Sequence, residues 1–348
     1  MINSTKLIRN SVNPSLNAKP ELSIIIPVFN QRNVINLVIQ RIFENTRSNF
    51  EIILIDDGSS DGTKNQLLSF TIDFALFPNL IAFKVFHHKF SKFETYCENF
   101  GIVNSNSRYC LGIQADMILD HREFDLKMIN ALKSNDSIAV ISGRGIEKLI
   151  PIISKYKKTL GTDTAHTDKI LIHVLRQIRK QFLRRQNISS EVSTDVFVEK
   201  SDLDYIRTGI AGRIGKFTNL IMDSESNNLK KLYIGETVMR GPILYDREKY
   251  FLIGGLDIKR FFQGFDEHDF CARAILNNYL VGYTPIGFSS PPNIGSSRKR
   301  RTLLTEIIIL SKILKRISRR KSSALASEEK LKSFLKDKES LNKVFQLI

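Results

Sequence analysis

The 348-residue chain contains no tryptophan and only three cysteines, and its apolar runs are short. Cys97, Cys110 and Cys271 lie too far apart for a disulfide framework or a paired-cysteine zinc site, so we expect reduced thiols in a cytoplasmic protein. No stretch approaches the roughly 20 apolar residues of a membrane-spanning helix. The polar segment 1–20 does not have the apolar centre of a secretion signal. These absences argue against a disulfide-stapled domain and an integral membrane protein.

The chain is basic, with 52 Lys and Arg against 36 Asp and Glu and a formal net charge of +16. This surplus is concentrated in two segments. Residues 144–187 carry eleven basic and three acidic residues, and residues 298–321 carry ten and one. The rest of the chain is close to neutral, which argues against a uniformly basic coat for nucleic acid. The two patches predict one or two anionic partners.

Short apolar segments alternate with segments of helical periodicity in the first 120 residues. Strands rich in β-branched residues are predicted at 22–28, 51–55, 80–86 and 109–114, and helices at 30–47, from about 63, and at 93–105. This alternation is typical of an α/β protein with a mostly parallel sheet.

Polar side chains follow the ends of several predicted strands. Asn30 follows the first strand, Asp56 and Asp57 end the second, and Asp116 follows the fourth. Because ligands bind beyond the carboxyl ends of parallel strands, we expect these side chains to converge on one crevice.

The histidines show no metal-ligand spacing. His87 and His88 are adjacent at the end of a predicted strand, and His121 stands apart from them. We expect all three on the surface or in loops.

Five segments together carry a recognisable pattern. They are 24–31 (IIIPVFNQ), 55–63 (IDDGSSDGT), 97–102 (CENFGI), 114–116 (QAD) and 264–273 (GFDEHDFCAR). In content and order they resemble the motifs of the family 2 glycosyltransferases, over residues 22–120 and, less closely, 236–290. The resemblance implies a GT-A fold, an α/β architecture with a Rossmann-like, mostly parallel sheet flanked by helices. To this we add a helical insertion and a helical C-terminal tail, from the basic stretches at 169–185 and 303–320.

The resemblance implies a nucleotide-sugar site in the first half of the chain. Asp56 and Asp57 are expected to recognise the nucleotide base, with Pro27, Val28 and Asn30 forming the wall of that site.

A divalent metal, Mn²⁺ or Mg²⁺, is implied as cofactor, with Asp116 as its ligand. Gln114 and Ala115 complete the motif that contacts the donor, and Gln114 stands where the family has a first acidic residue. Hard oxygen ligands suit these cations, and substrate diphosphate and water would complete the coordination shell. Arg298 is expected to clamp the diphosphate, since a guanidinium matches phosphate geometry.

The acceptor side carries the expected base. A carboxylate near the attacking hydroxyl is needed because an unassisted alcohol is a poor nucleophile. The resemblance assigns this role to Glu267, with Asp266 beside it. The family order of Glu then Asp is reversed here, so the choice between the two stays open.

The motifs divide the chain into five predicted parts. These are an N-terminal tail at 1–20, a nucleotide-sugar-binding half at 21–144, an insertion or acceptor-side subdomain at 145–235, an acceptor-binding half at 236–297, and a basic helical tail at 298–348. In the tail, apolar residues repeat at helical spacing from 303 with basic residues opposite, which suggests contact with an anionic membrane surface through 303–321. Packing of this helix on the catalytic domain is the other interpretation.

The resemblance implies an inverting enzyme of polysaccharide biosynthesis, and the absence of Trp and of a membrane span indicates a non-processive one. It would transfer a hexose from a nucleotide-diphosphate donor, most simply a UDP-sugar, to a hydroxyl of a glycan or lipid-linked acceptor. The absence of Trp excludes the Q-x-x-R-W motif of the processive synthases. Two alternatives remain: a catalytically weakened nucleotide-sugar-binding module, and a basic nucleic-acid-binding protein. The nucleic-acid alternative does not explain the acidic residues at the strand ends. A dinucleotide-dependent dehydrogenase is disfavoured because no G-x-G-x-x-G follows the first strand.

Overall fold

The structure is a computed structural model that describes residues 5–143, 205–211, 214–218, 232–235, 238, 240–259, 261, 266–284 and 286–288. Within these ranges the strands are β1 Thr5–Val12, β2 Leu22–Val28, β3 Phe50–Asp56, β4 Leu80–His88, β5 Tyr109–Gly112, β6 Ile138–Ser142, β7 Tyr205–Ala211, β8 Ile214–Thr218, β9 Tyr233–Gly235, β10 Ile243–Asp246 and β11 Leu280–Tyr283. The helices are α1 Ile35–Asn45, α2 Thr63–Ser69, α3 Glu94–Val103, α4 Phe124–Lys133, α5 Arg247–Leu252 and α6 Asp266–Leu276.

All these strands join one mixed sheet in the order β1-β4-β3-β2-β5-β10-β6-β11-β9-β8-β7. Strands β4, β3, β2 and β5 pair in parallel, as do β6 and β11. The chain returns antiparallel at β10, which lies between β5 and β6. The predicted α/β class with a mostly parallel sheet is therefore confirmed, since most of the described strands run in one direction.

Helices cover both faces of the central strands. Every residue of β3 is buried, which explains its continuous apolar run. On one face, Phe43 of α1 packs against Phe50 with ring centroids 6.1 Å apart. On the other face, Gly101 of α3 lies against the side chains of Ile25 and Ile55. Because side chains of a strand alternate between faces, Phe50 and Ile55 point to opposite sides.

Strand β10 brings a late part of the chain to the centre of the sheet. Ile243, its first residue, is level with Gly112, the last residue of β5. Because the two strands run antiparallel, residues just before β10 lie at the edge where the parallel strands end. This edge is the predicted position of the functional site.

Two parts of the chain differ from the sequence-based expectation. Residues 5–12 were expected in a tail, but they form β1 and pair antiparallel with β4 at the edge of the sheet. None of their side chains is buried, and partly buried and exposed positions do not alternate regularly, so this segment does not have the apolar signal of a core strand. In 145–235, where a helical insertion was expected, the described residues include the strands β7, β8 and β9. The predicted helices at 169–185 and 303–320 lie outside the described residues.

No helix in the described ranges is long and apolar enough to cross a membrane.

Candidate active site

The loops after β2 and β3 are joined by hydrogen bonds from the residues of their motifs. The Asn30 backbone N–H donates to Ser59 Oγ at 2.9 Å, and the Ser60 N–H donates to Asn30 Oδ1 at 2.8 Å. The backbone N–H of Asp57 donates to the carbonyl of Val28 at 2.8 Å. Asn30 has a positive φ of 52°, which asparagine tolerates better than most residues. The structure thus brings together Val28, Asn30 and Asp57, three of the predicted nucleotide-wall and base-recognition residues.

Asp56 ends β3 and is fully buried. Its Oδ2 lies 2.7 Å from Nδ1 of His87, and its Oδ1 accepts a hydrogen bond from the Ser59 N–H at 3.2 Å. His87 is placed there by the parallel register of β3 and β4, in which it is the residue opposite Asp56. Asp56 therefore links β4 to the loop after β3.

Asp57 organises the loop between β4 and α3. Its Oδ1 accepts from the Lys92 N–H at 2.7 Å and faces His88 Nδ1 at 3.0 Å. Its Oδ2 accepts from Ser91 Oγ at 2.6 Å and from the Phe93 N–H at 2.9 Å. Although burial acts to raise the pKa of Asp57, these hydrogen bonds outweigh it and hold the pKa below its ordinary value. Asp57 is thus an ionised carboxylate with both oxygens engaged.

The expectation that His87 and His88 lie on the surface or in loops is wrong for His88, while His87 is partly exposed but lies in a strand and not in a loop. Both belong to β4; His88 is fully buried, and each ring faces one of the two aspartates. The His88 ring also packs edge-on against Tyr96 and Phe100, with centroids 5.5 and 5.7 Å apart. The cause is the length of β4, which extends two residues beyond the predicted strand.

Asp57, His88 and Cys97 form a buried group whose ligand atoms lie within 4.8 Å of one another. Asp57 Oδ1 and Cys97 Sγ both approach the same ring nitrogen, His88 Nδ1, at 3.0 and 3.7 Å. A nucleophile–base–carboxylate relay needs opposite ring nitrogens for its two partners, so this group is not one. Burial raises the pKa of Cys97 well above its ordinary value, which keeps the thiol protonated. The group serves to hold the β4–α3 loop.

The segment 114–116 follows β5 at the same edge of the sheet. Gln114 Nε2 donates to Glu94 Oε1 at 3.2 Å, which ties this turn to the first residue of α3. Ala115 is buried, and Asp116 is partly exposed in the turn. A partly exposed carboxylate beyond a buried strand can be reached by a cation and a diphosphate. The amide of Gln114, by contrast, is used within the protein.

Asp266 and Glu267 begin α6, where carboxylates complement the positive end of the helix dipole. Asp266 is fully buried, and its Oδ2 forms an ion pair with Arg240 Nη2. Glu267 is partly exposed. Arg273, later in the same helix, donates to the carbonyls of Ile253 and Gly255 at 2.8 and 2.7 Å and so fixes α6 against the preceding loop.

Arg240 is the centre of a buried cluster of charges that the sequence did not indicate. Besides Asp266, its Nε lies 3.1 Å from Glu98 Oε2 and its Nη1 lies 3.4 Å from Glu94 Oε2. Arg240 is 8% exposed and Glu98 only 2%. Burial raises the pKa of Glu98 and of Asp266 to about 7, against the opposing attraction of Arg240. We call Glu94, Glu98, Arg240 and Asp266 the Arg240 cluster.

The structure therefore gathers most of the predicted site residues at one edge of the sheet. The nucleotide-wall and base-recognition residues share the β2 and β3 loops, and Gln114 connects through Glu94 and Arg240 to Asp266. Arg298 lies outside the described residues. Arg240, Glu94 and Glu98 were missed, since a lone arginine before a Gly-Pro pair gives no signal of three carboxylate partners.

A mixed sheet with carboxylates gathered where its parallel strands end is the organisation expected of a GT-A enzyme. A family model described as Glycosyl transferase family 2 matches residues 23–203, just over half of the chain. The chain belongs to glycosyl transferase family 2. The family resemblance drawn from the sequence motifs and the GT-A fold class are both confirmed.

Individual relatives are distant. An uncharacterized glycosyltransferase of Rickettsia bellii (strain RML369-C) is 29% identical over 108 residues, which are 31% of this chain and 14% of that relative. The chain thus matches a small part of the length of this relative. Among solved structures, the mannosyltransferase PcManGT from Pyrobaculum calidifontis, in complex with GDP-Man and Mn²⁺, is 12% identical with a TM-score of 0.43, covering 93% of this chain and 76% of that one. GalNAc-T7 with UDP, GalNAc and Mn²⁺ is 11% identical with a TM-score of 0.47, covering 77% and 43%.

Proposed function

We propose that this chain is a non-processive, inverting glycosyltransferase that transfers a sugar from a nucleotide-diphosphate donor, most simply a UDP-sugar, to a hydroxyl of a glycan or lipid-linked acceptor. The observation that carries the proposal is the arrangement at the sheet edge. Asp56 and Asp57, the turn at 114–116 and the start of α6 all lie where parallel strands end, and the Arg240 cluster links the last two. Ligands of α/β sheets bind at this edge.

The base-recognition role falls on Asp56 and Asp57. Both carboxylates already accept hydrogen bonds within the protein, Asp57 through both oxygens. A uracil imide N–H would therefore share or replace one of these donors. This arrangement favours a planar ligand that brings a single N–H donor. A cationic ligand would have to displace the protein donors from both carboxylate oxygens.

Asp116 is the proposed metal ligand. It is a single hard carboxylate, partly exposed in the turn after β5, and the neighbouring Gln114 amide is hydrogen-bonded to Glu94. One protein carboxylate suits Mg²⁺ or Mn²⁺ when diphosphate oxygens and water supply the remaining ligands. When bound, the cation neutralises the negative charge that develops on the leaving diphosphate. Asp116 would hold the diphosphate of the donor while Pro27, Val28 and Asn30 hold its nucleoside.

Glu267 is the proposed general base. Asp266 is fully buried and committed to Arg240, whereas Glu267 is partly exposed on the next position of the helix. In a single displacement, the acceptor oxygen bonds to the anomeric carbon as the bond to the diphosphate oxygen breaks. The electron pair of that bond leaves with the diphosphate, and Glu267 takes the hydroxyl proton.

The metal and donor roles are tested by thermal unfolding with a panel of UDP- and GDP-sugars, with and without Mn²⁺. We expect one donor class to raise the Tm in a metal-dependent way. Asp116→Asn should abolish the metal-dependent part of that shift. Asp120→Asn, which changes an exposed carboxylate four residues away that pairs with Arg41, should preserve it. An unchanged shift in Asp116→Asn would refute the metal role.

The base role is tested by transfer kinetics on Glu267→Gln, with Glu248→Gln on α5 as the control because Glu248 is well exposed. We expect Glu267→Gln to lower the transfer rate by about 10²- to 10⁴-fold while donor affinity is kept. Donor binding by the wild type without transfer to any acceptor would favour a catalytically weakened binding module instead. Binding of random duplex that persists at moderate salt would favour the nucleic-acid alternative.

A further inference from the structure

The guanidinium of Arg240 joins two parts of the proposed active site that the chain supplies from distant segments. Strand β10 runs antiparallel to β5, so residue 240 lies beyond the end of β5, beside the turn at 114–116. Gly241, with a positive φ of 64°, makes the close approach possible. A Cβ there would lie 3.0 Å from Met117 Sδ and 3.2 Å from Gln114 Cγ.

The three nitrogens of Arg240 face carboxylates on two helices, α3 and α6. Nη2 pairs with Asp266 at the start of α6, Nε faces Glu98 on α3, and Nη1 faces Glu94 at the start of α3. Glu94 in turn accepts from Gln114, two residues before Asp116. The guanidinium of Arg240 therefore connects α6, which carries the proposed base, to the turn at 114–116, which carries the proposed metal ligand.

We infer that Arg240 is a positioning residue for the transfer reaction, fixing Glu267 on α6 relative to Asp116 after β5 through Asp266, Glu94 and Gln114. The inference rests on the proposed function. Arg240 is buried and its ion pairs are with Asp266, Glu98 and Glu94, so its effect on Glu267 and Asp116 is exerted through these partners. This positioning role explains why Asp266, the residue next to the proposed base, is buried in an ion pair with Arg240.

The burial of the cluster explains why an arginine is needed. Glu98 and Asp266 are almost completely shielded from water, and removal of their shared cation would leave buried carboxylates without compensation. Arg240 supplies the cation that pairs with both carboxylates, at Glu98 Oε2 and Asp266 Oδ2. A lysine keeps the charge, but its single nitrogen cannot face three carboxylates in fixed directions.

Arg240→Lys keeps the positive charge that the buried carboxylates need, but it removes the directional contacts of the guanidinium. Its effect therefore reports on positioning rather than on charge or folding. Arg108→Lys is the matched control, since Arg108 pairs with Asp246 at 2.9 Å at the opposite end of the same β5–β10 pair. We expect Arg240→Lys to lower kcat by about 100-fold, the scale of a misplacement of about 1 Å, with the donor Kd changed less than twofold. Arg108→Lys should leave both values unchanged.

A second measurement does not depend on turnover. Hydrogen exchange of the backbone amides should become faster in Arg240→Lys both at the start of α6 and at the turn 114–116, and in neither place in Arg108→Lys. Should Arg240→Ala fold, methylguanidinium should partly restore its kcat.

The outcomes distinguish the two proposals. A wild type that binds and uses a nucleotide sugar, with normal kcat in Arg240→Lys, refutes the positioning role alone. So does a loss of donor affinity equal to the loss of kcat, because that pattern belongs to general structural damage. A wild type that binds no nucleotide sugar refutes the proposed function and the positioning role with it.

Discussion

The stability of the protein should depend on pH through Glu98, and the variant Glu98→Gln isolates this effect. Glu98 is fully buried, and burial raises its pKa from an ordinary value of 4.5 to about 7. Between these two pH values the folded state keeps a proton that the unfolded state has released. Stability from this group is therefore complete below the unfolded-state pKa and falls as the pH rises towards 7.

The size of the effect follows from the difference between the two pKa values. One pKa unit corresponds to about 1.4 kcal/mol, so ionising Glu98 in the folded state costs about 3 kcal/mol at most. Glutamine has nearly the same shape and never ionises. The free energy of unfolding of Glu98→Gln, relative to wild type, should rise by about 2 to 3 kcal/mol between pH 5 and pH 8. Asp266, whose charge also raises the pKa of Glu98, is present in both proteins.

Urea unfolding followed by far-ultraviolet circular dichroism is the appropriate assay, because the chain has no tryptophan to report by fluorescence. Glu248→Gln, at an exposed glutamate, is the control and should show no pH-dependent difference from wild type. If the relative stability of Glu98→Gln does not change with pH, Arg240 fully compensates the buried carboxylate. If it falls as the pH rises, Glu98 is a required counter-ion. Either result would refute the reasoning.

Two further substitutions test the packing and the loop on which the site depends. Gly101→Ala places a methyl group against Ile25 of β2, closer than real Cβ atoms approach, so we expect a loss of about 1 to 3 kcal/mol; an unchanged Tm would show that α3 moves freely over the sheet. Asp57→Asn replaces one accepting oxygen by an NH2 donor, which then faces the N–H of Lys92 or that of Phe93, depending on which oxygen it replaces. We expect weaker nucleotide affinity and faster hydrogen exchange at 91–93, and normal exchange there would contradict the role assigned to Asp57.

The sequence predicts those parts of the site that depend on local pattern. The apolar runs locate β2 and β3, and the turn-forming residues after them place Asn30, Asp56 and Asp57 at strand ends. Parallel strands all end at the same edge, so the convergence of these residues needs no further information. Asp116 follows from the same argument, applied to β5.

The contacts that sequence reasoning missed depend on register and topology. Asp56 faces His87 because β3 and β4 pair in one particular parallel register, and no turn between them fixes that register from the sequence. Arg240 reaches Asp266 because β10 inserts antiparallel between β5 and β6. Nothing local to residues 240–246 indicates that this segment belongs at the centre of the sheet. The spacing of apolar residues does not predict which polar residues, distant in the sequence, come into contact in the fold.

The central position of β10 also governs the order in which the protein can fold. Until β10 is present, β5 has only β2 beside it, and Ile243 of β10 follows its partner Gly112 by about 130 residues. The first strands can assemble early during synthesis, but one edge of β5 stays unpaired while the intervening chain is made. Closing so long a loop carries a large entropic cost, so completion of the sheet should be a slow step. An open, apolar strand edge during that interval is a template for aggregation. We therefore expect the yield of folded protein to depend on chaperones and on the rate of synthesis.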